Sequence, residues 1–434
     1  MGGSLYTPEV DPYAENWRHE RVHRNLCAGV SSMLRTIYLD NSATTPVRPE
    51  VREAILPFLM DKWGNPSSVH SMGAVSKRAM DEARRSVAEL LSCEPDEVYF
   101  TPCATYSNNV AVLGRARFVE ANGKGRHLIT TKIEHPSCTG PARYLESLGW
   151  DVTYLPVNRE GLIDLDQLHE SVKNSTSIIS VMWANNEIGA VQPIPEIACL
   201  AKEKGIFFHT DAVQVPGKMD INVKELPVDT LSISAHKFYG PKGIGALFVR
   251  RGSNVMPIAF GGGQEMGLFP GTEPLPNIIA LGVAAKLAKE ELPETVKHLR
   301  KLQSILTSRL ICLEGVKLTG PFEADKRVPG HVSIVVPGVE GESVVLQADL
   351  RGLCVSAASA CKKGIVQASH VVTALGYCES DALGSVRITA GKFNTEEEVE
   401  RAVDIIVRII SSYISRQAAN SAKTTGTAVG AEKV

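Results

Sequence analysis

Two things are scarce in this chain of 434 residues. Aromatic side chains make up only 6%, and charge of one sign hardly prevails, since 46 Lys and Arg face 48 Asp and Glu for a net charge of -2. That balance argues against nucleic acid and against an anionic membrane surface as direct partners. No apolar run reaches the roughly 18 residues of a membrane span. A targeting leader is also poorly supported, because Glu9, Asp11, Glu15 and Glu20 sit among Arg18, Arg21, Arg24 and Arg35 and no apolar signal core follows. The nine cysteines (27, 93, 103, 138, 199, 312, 354, 361, 378) are scattered, odd in number and free of any C-x-x-C pair. This excludes a disulfide framework and a structural zinc site, and a reducing compartment, the cytoplasm, is expected. No internal repeat of fixed period is visible.

One short motif is set aside. Residues 19 to 23 read HERVH, a literal match to the H-E-x-x-H of zinc peptidases. No strongly apolar helix surrounds it, and Leu26 stands where the extended signature wants a glycine. No metal is therefore assigned.

What is present is a regular alternation in a chain that is 44% hydrophobic. The stretches 49–59 and 73–91 place apolar residues at helical spacing, whereas VYFTP (98–102), HLITT (127–131), VTYLPV (152–157), SIISVMWA (177–184), IFFHTDA (206–212) and TLSISA (230–235) read as short strands. Alternating elements with near-continuous apolar strands imply an α/β fold. Its sheet should be mainly parallel and covered on both faces, with ligands beyond the carboxyl ends of the strands. After about residue 295 the texture changes to long charged helices, the last opened by a Thr395 and Glu398 capping box. The expected organisation is a poorly ordered extension over 1–36, a large domain over 37–295, a smaller α+β domain over 296–416 and a disordered tail over 417–434. Residues 37–48 are expected to join the smaller domain.

Lys237 is out of place in this pattern. It follows the apolar strand SISA, where an ammonium group is normally too costly to bury. Asp211 and Gln214 lie just past another apolar strand, and two neighbouring strand tips would bring acid and amine into one cleft. With FTPCATYSNN and IEHPS at two more strand ends, the set suggests a pyridoxal phosphate site: the lysine captures the aldehyde, the aspartate keeps the pyridine nitrogen protonated, and loop amides and hydroxyls hold the phosphate.

The segments LDNSATTPVRPEV, GNPSSVH, EHPS, NNEIG, HTDAVQ, SAHKFYGPKGIGALFVRR, GGGQE, PGTEPLPNIIALG, SAASACKKG and VRITAGKF occur in the order and spacing of cysteine desulfurases. From about residue 37 to about 412 the chain thus resembles these class V aminotransferase-like enzymes of pyridoxal phosphate fold type I. The resemblance implies a mainly parallel seven-stranded-type sheet, pyridoxal 5'-phosphate as cofactor, L-cysteine as substrate, a homodimer, and a scaffold or carrier protein as sulfur acceptor. It assigns the covalent lysine to Lys237, the pyridinium partner to Asp211, the ring-hydroxyl contact to Gln214 and the stacking, proton-transferring histidine to His135. Asn186 would contact the cofactor. Ala104, Thr105, Ser234 and His236 would hold the phosphate, with Thr272 reaching across from a partner subunit. Arg387 would bind the substrate carboxylate with Asn41 nearby, a bidentate job that suits a guanidinium.

Cys361 in SAASACKKG matches the nucleophile that takes sulfur from the substrate, releasing alanine and keeping a persulfide. Lys362 and Lys363 would favour its thiolate. Its place 15 residues before the end of VVTALG matches the long-loop branch, which hands sulfur directly to scaffold or carrier proteins. Selenocysteine lyase is the nearest enzymatic alternative, and a catalytically weak scaffold is the alternative from another class. Departures from the family pattern are Tyr106 for a glutamate, Asn108 for a frequent aspartate, Met266 and Phe269 for two arginines, and Ala358 for a glycine. The lost cations are expected to alter substrate choice, loop docking or activity.

Overall fold

The computed structural model describes residues 36–123, 125–357, 360–362 and 365–428, with side chains except at 360–366 and from 417 onward. The HERVH motif, the expected extension up to residue 35, and residues 429–434 lie outside the described residues.

A short strand β1 (Ile37–Tyr38) opens the fold, and the apolar runs noted above become β2 (Val98–Thr101), β3 (His127–Thr131), β4 (Asp151–Leu155), β5 (Thr176–Ser180), β6 (Phe207–Asp211) and β7 (Thr230–Ser234). A seventh central strand, β8 (Gly245–Val249), is not among the apolar runs read as strands, although the resemblance implies seven. It returns directly from β7 without a crossover helix, so it breaks the alternation that revealed the others. The sheet order is β2-β8-β7-β6-β5-β3-β4, and β8 alone runs against its neighbours. Strands β3, β5, β6, β7 and β8 are buried along their whole length, as strands covered on both faces must be.

The helix Ser71–Leu91 packs on Leu275–Glu290 closely enough that a side chain at Gly282 would meet Ala83 Cα at 2.5 Å. Glycine is needed there because the two backbones nearly touch. The helical run after β2 is also interrupted: Ala104–Asn109 and Arg115–Ala121 flank a π-helical turn, Val110–Gly114. Such turns are costly and recur beside functional sites.

A second core gathers Ile37 and Leu39 with Leu299, Leu302, Ile388 and Val403. It surrounds a four-stranded sheet in which β10 (His331–Val335) lies between β9 (Lys317–Leu318) and β15 (Ser385–Thr389). Strand β11 (Leu353–Cys354) pairs with β1, β12 (Ser356–Ala357) edges the four-stranded sheet, and β13 (Ala360–Lys362) and β14 (Ile365–Gln367) form a hairpin. The capping box holds: Glu398 N–H donates to Thr395 Oγ1 at 3.1 Å and Thr395 N–H to Glu398 Oε2 at 3.2 Å. This helix runs Glu396–Ala428, so the backbone of the expected disordered tail is helical up to Ala428. The sequence from 416 to 423, with Arg, Gln, Lys and three Ala among its residues, favours helix once one is nucleated.

Segment 39–45 straps the two cores together. Thr389 N–H donates to Leu39 O at 2.7 Å, and Thr45 N–H donates to His236 O at 2.8 Å. The strap crosses beside the carboxyl ends of β6 and β7.

Candidate active site

Asp211 ends β6 and Ser234 ends β7, followed by one 3-10 turn, Ala235–Lys237. The strands are adjacent and parallel, so their tips bring Asp211 and Lys237 into one electrostatic environment. Lys237 is half-buried, and its Nζ donates to Ser42 O at 2.7 Å and Ala43 O at 2.8 Å. Burial first, and the Arg387 charge second, bring its pKa down to about 8 despite Asp211 and Asp40. A minor fraction, far larger than for an ordinary lysine, is therefore neutral amine near neutrality, the form that attacks a carbonyl.

Asp211 is held by a relay. Asn108 Nδ2 donates to Asp211 Oδ2 at 2.8 Å and to Ser137 Oγ at 2.9 Å, which leaves Asn108 Oδ1 to accept from His209 Nε2 at 3.0 Å. His209 Nδ1 must then accept from Thr230 Oγ1 at 2.9 Å. Burial pushes the His209 pKa down to about 3, so the ring is neutral and one tautomer satisfies every partner. Each donor points towards the carboxylate.

His135 caps the helix Pro136–Ser147, with Nδ1 accepting from Ser137 N–H at 3.1 Å. Its ring sits in a concave mouth, accessible yet surrounded by protein. Burial lowers its pKa, and because Nδ1 accepts from Ser137 N–H, the neutral ring carries its proton on Nε2. The mouth opens into a cleft of about 890 Å³ lined by Arg143, Asn186, Glu187, Ser369 and His370. Ser369, which roots the β13–β14 hairpin on this wall, donates to Glu187.

The remaining expected residues are placed as follows. Tyr106 and Ser107 N–H groups both go to Cys103 O, and no acceptor among the described residues takes the Ala104 or Thr105 N–H at the helix start. His236 Nδ1 lies 3.2 Å from Thr44 Oγ1, and burial with Lys237 and Lys242 brings its pKa down to about 4. Gln214 Nε2 donates to Ser42 O at 3.0 Å. Arg387 projects from β15 and donates to Asn186 O at 3.0 Å and Asp40 Oδ1 at 2.7 Å, while its buried Nε has no partner among the described residues. The Asn41 amide is instead spent on Thr389 O at 2.9 Å, and its neighbours Ser42 and Ala43 reach Lys237. Thr272 is exposed and lines a different cavity of about 300 Å³ with Phe269 and Phe100. Cys361 belongs by its backbone to β13, and its side chain lies outside the described residues.

Sequence reasoning missed several members. Asp40 pairs with Arg387 across 347 positions, so no local signal announces it. Glu134 is fully buried, accepts from Thr131 Oγ1 at 2.8 Å and Met182 N–H at 2.9 Å, and is pushed up to about 8 by burial. Lys218 is buried beside Gln214. An ionisable residue just past an apolar stretch is the signal that could have found Lys218, whereas Glu134 stands in the polar stretch TTKIEHPS and carries no such mark.

The residues present fit pyridoxal phosphate: a partly neutral lysine, a carboxylate fixed on a donor relay, and unspent N–H groups beside Thr105, Ser234 and a neutral histidine for an anion. Residues 37–402 match the family model described as Aminotransferase class-V. A curated relative, "Cysteine desulfurase IscS" of Dictyoglomus turgidum, is 44% identical over 379 residues, which is 87% of this chain and 95% of that protein. The chain belongs to the cysteine desulfurases of the class-V aminotransferase family. As a member it is a pyridoxal-phosphate-dependent enzyme. Among solved structures, "NIFS-LIKE PROTEIN" is 38% identical with a TM-score of 0.81 over 87% of this chain and 99% of that one. Another, titled "SspA in complex with cysteine", is 36% identical with a TM-score of 0.73 over 83% and 100%.

Two departures of this desulfurase from the family pattern meet in space. Tyr106 and Phe269 pack as a tilted pair with ring centroids 5.5 Å apart, and the Tyr99 centroid lies 6.5 Å from that of Phe269. Where the family pattern puts a glutamate and an arginine, this chain has an aromatic pair. Phe269 is only 5% exposed, within a cluster that includes Val110, Leu247 and Leu268. Met266, by contrast, is exposed.

Proposed function

We propose that the enzyme removes sulfur from L-cysteine, yielding L-alanine and a persulfide on Cys361 that is passed to a scaffold or carrier protein for iron-sulfur cluster or thio-cofactor assembly. The observation that carries this reading is Lys237, a lysine of lowered pKa at the tip of β7 beside Asp211 at the tip of β6. When bound, pyridoxal phosphate supplies an aldehyde for covalent capture of an amine and a cationic ring that draws electrons from the substrate. Asp211, fixed by Asn108, would face the ring nitrogen, and Gln214 its hydroxyl. Ala104, Thr105, Ser234 and His236 would take the phosphate through backbone and side-chain donors. Arg387 would bind the substrate carboxylate through its unpartnered Nε edge, held in place by Asp40 and Asn186. His135, with Nε2 protonated, and the neutral fraction of Lys237 would carry protons at the substrate α-carbon.

The sulfur step balances without an outside oxidant. The Cys361 thiolate forms an S–S bond as the substrate C–S bond breaks; the electron pair stays with carbon, which takes a proton and leaves as alanine. The same reading includes a cytoplasmic homodimer. Leu59, Met60, Trp63 and Val69 are exposed, and the nearby stretch of chain lines a depression through Ser67 and Lys77, with Met266 and Glu273. The test is alanine formation from L-cysteine with a thiol reductant. Wild type should turn over and Cys361→Ala should be silent; alanine from both would overturn the persulfide reading, and silence from both with selenocysteine turnover would favour the lyase.

A further inference from the structure

Lys218 is the buried ionisable group left unexplained by the chemistry above. It is 8% exposed, and the charged and titratable groups that face it are Lys237, Arg387 and His331, none of which neutralises an ammonium. Its hydrogen-bond partner is Gln214 Oε1 at 3.2 Å. Burial and the two cations bring its pKa down to about 7. A lysine kept there at such cost needs a reason of position.

The reason lies in the symmetry of an amide, whose oxygen accepts and whose nitrogen donates. Gln214 is gripped at both ends by groups that each permit one orientation. In its charged form Lys218 can only donate, so Oε1 must face it; Ser42 O can only accept at any pH, so Nε2 must face that side, at 3.0 Å. Ser42 O is also the carbonyl that receives Lys237 Nζ at 2.7 Å, which places the Gln214 nitrogen beside the amine. Nε2 carries two hydrogens and Ser42 uses one.

We propose that Lys218 is a positioning residue that locks the Gln214 amide with its nitrogen towards the cofactor, so that the second Nε2 hydrogen is always presented as a donor. The proposal rests on the reading that Gln214 meets the ring hydroxyl. A donor there favours the anionic ring oxygen, whereas a flipped amide would present an acceptor and favour the protonated one.

The experiment is a pH titration of the visible absorption of the bound cofactor in wild type, Lys218→Met, Gln214→Ala and the double variant. Met fills a similar volume without a donor. Lys218→Met should retain cofactor and move the midpoint by about one pH unit, the scale of one hydrogen bond to a charged group. Gln214→Ala should move it the same way, and the double variant no further than Gln214→Ala alone. Lys218→Arg, another donor-only side chain, should restore the wild-type midpoint. If Gln214→Ala shifts the titration and Lys218→Met does not, the proposal falls while the role of Gln214 stands. If neither shifts it, the reading of Gln214 falls first. Should Lys218→Met not fold, Lys218→Gln, which can donate or accept, should give the same direction of shift, and an unmoved midpoint would again overturn the lock.

Discussion

At the scale of single residues, one of the two lost arginines is replaced by a packed side chain, Phe269, and the other by the exposed Met266. Phe269 sits on Tyr106 inside an apolar cluster, so a guanidinium placed there alone would be buried without a partner. Phe269→Arg is expected to cost about 2 to 4 kcal/mol. Adding Tyr106→Glu should recover at least half of that, and denaturant midpoints of the two single variants and the double variant would measure the coupling. Additive losses would mean that the two positions do not form a unit. Asn108 is similar: in place of a frequent aspartate it can donate to Asp211 and still accept from His209, which a carboxylate could not do. The sequence named both substitutions, but which residue answers which was hidden, because the partners lie far apart along the chain.

Among elements, the strands that carry the site were legible because each is a short apolar run closed by a polar cluster. β8 was not, since an antiparallel return needs no crossover helix. The π-helical turn Val110–Gly114 left no mark either, as its residues read as an ordinary apolar helix. The segment after the helix Pro49–Met60 argues for a partner chain. Trp63 and Met60 are each 70% exposed in a chain with four Trp, and Ser67, a few residues further on, lines a depression with Met266 and Glu273, the chain neighbour of Thr272. Trp63→Asp should shift the protein towards monomer in sedimentation and weaken cofactor retention, because Thr272 would then have no neighbour to serve. A wild-type monomer that binds cofactor normally would overturn the arrangement.

For the whole molecule, buried histidines set the acid limit. Burial lowers His209 to about 3 and holds His331 well below its usual value, and it also lowers His127 and His236. Their folded pKa values lie under the unfolded one, so on acidification below about 6.5 the unfolded chain takes up protons that the folded chain refuses. The stability they provide is complete above that pH and is lost as pH falls towards the folded values. Glu134, raised to about 8 from 4.5, and Glu187, also raised, work in the opposite sense, losing stability as pH rises from 4.5. With His135, lowered in the same way, five histidines outweigh two carboxyls, so stability should fall between pH 7 and pH 5 by about 1.4 kcal/mol per pH unit for each unbalanced proton, read as a lower melting temperature. His209→Gln, which can still donate to Asn108, should make that slope shallower; an unchanged slope would exclude His209 as a contributor.

The sequence by itself determined the alternating α/β order, the strands that end in polar residues, and through its motifs the family, because those signals are local and strand tips of a parallel sheet converge by topology alone. Only the tertiary structure decided which donors face which acceptors: Asp40 on Arg387, His209 through Asn108 on Asp211, and Lys218 on Gln214. Lys218 and Gln214 are neighbours in the chain, yet even their contact waited on the strap at Ser42, since an amide has no preferred face until something on each side can only donate or only accept.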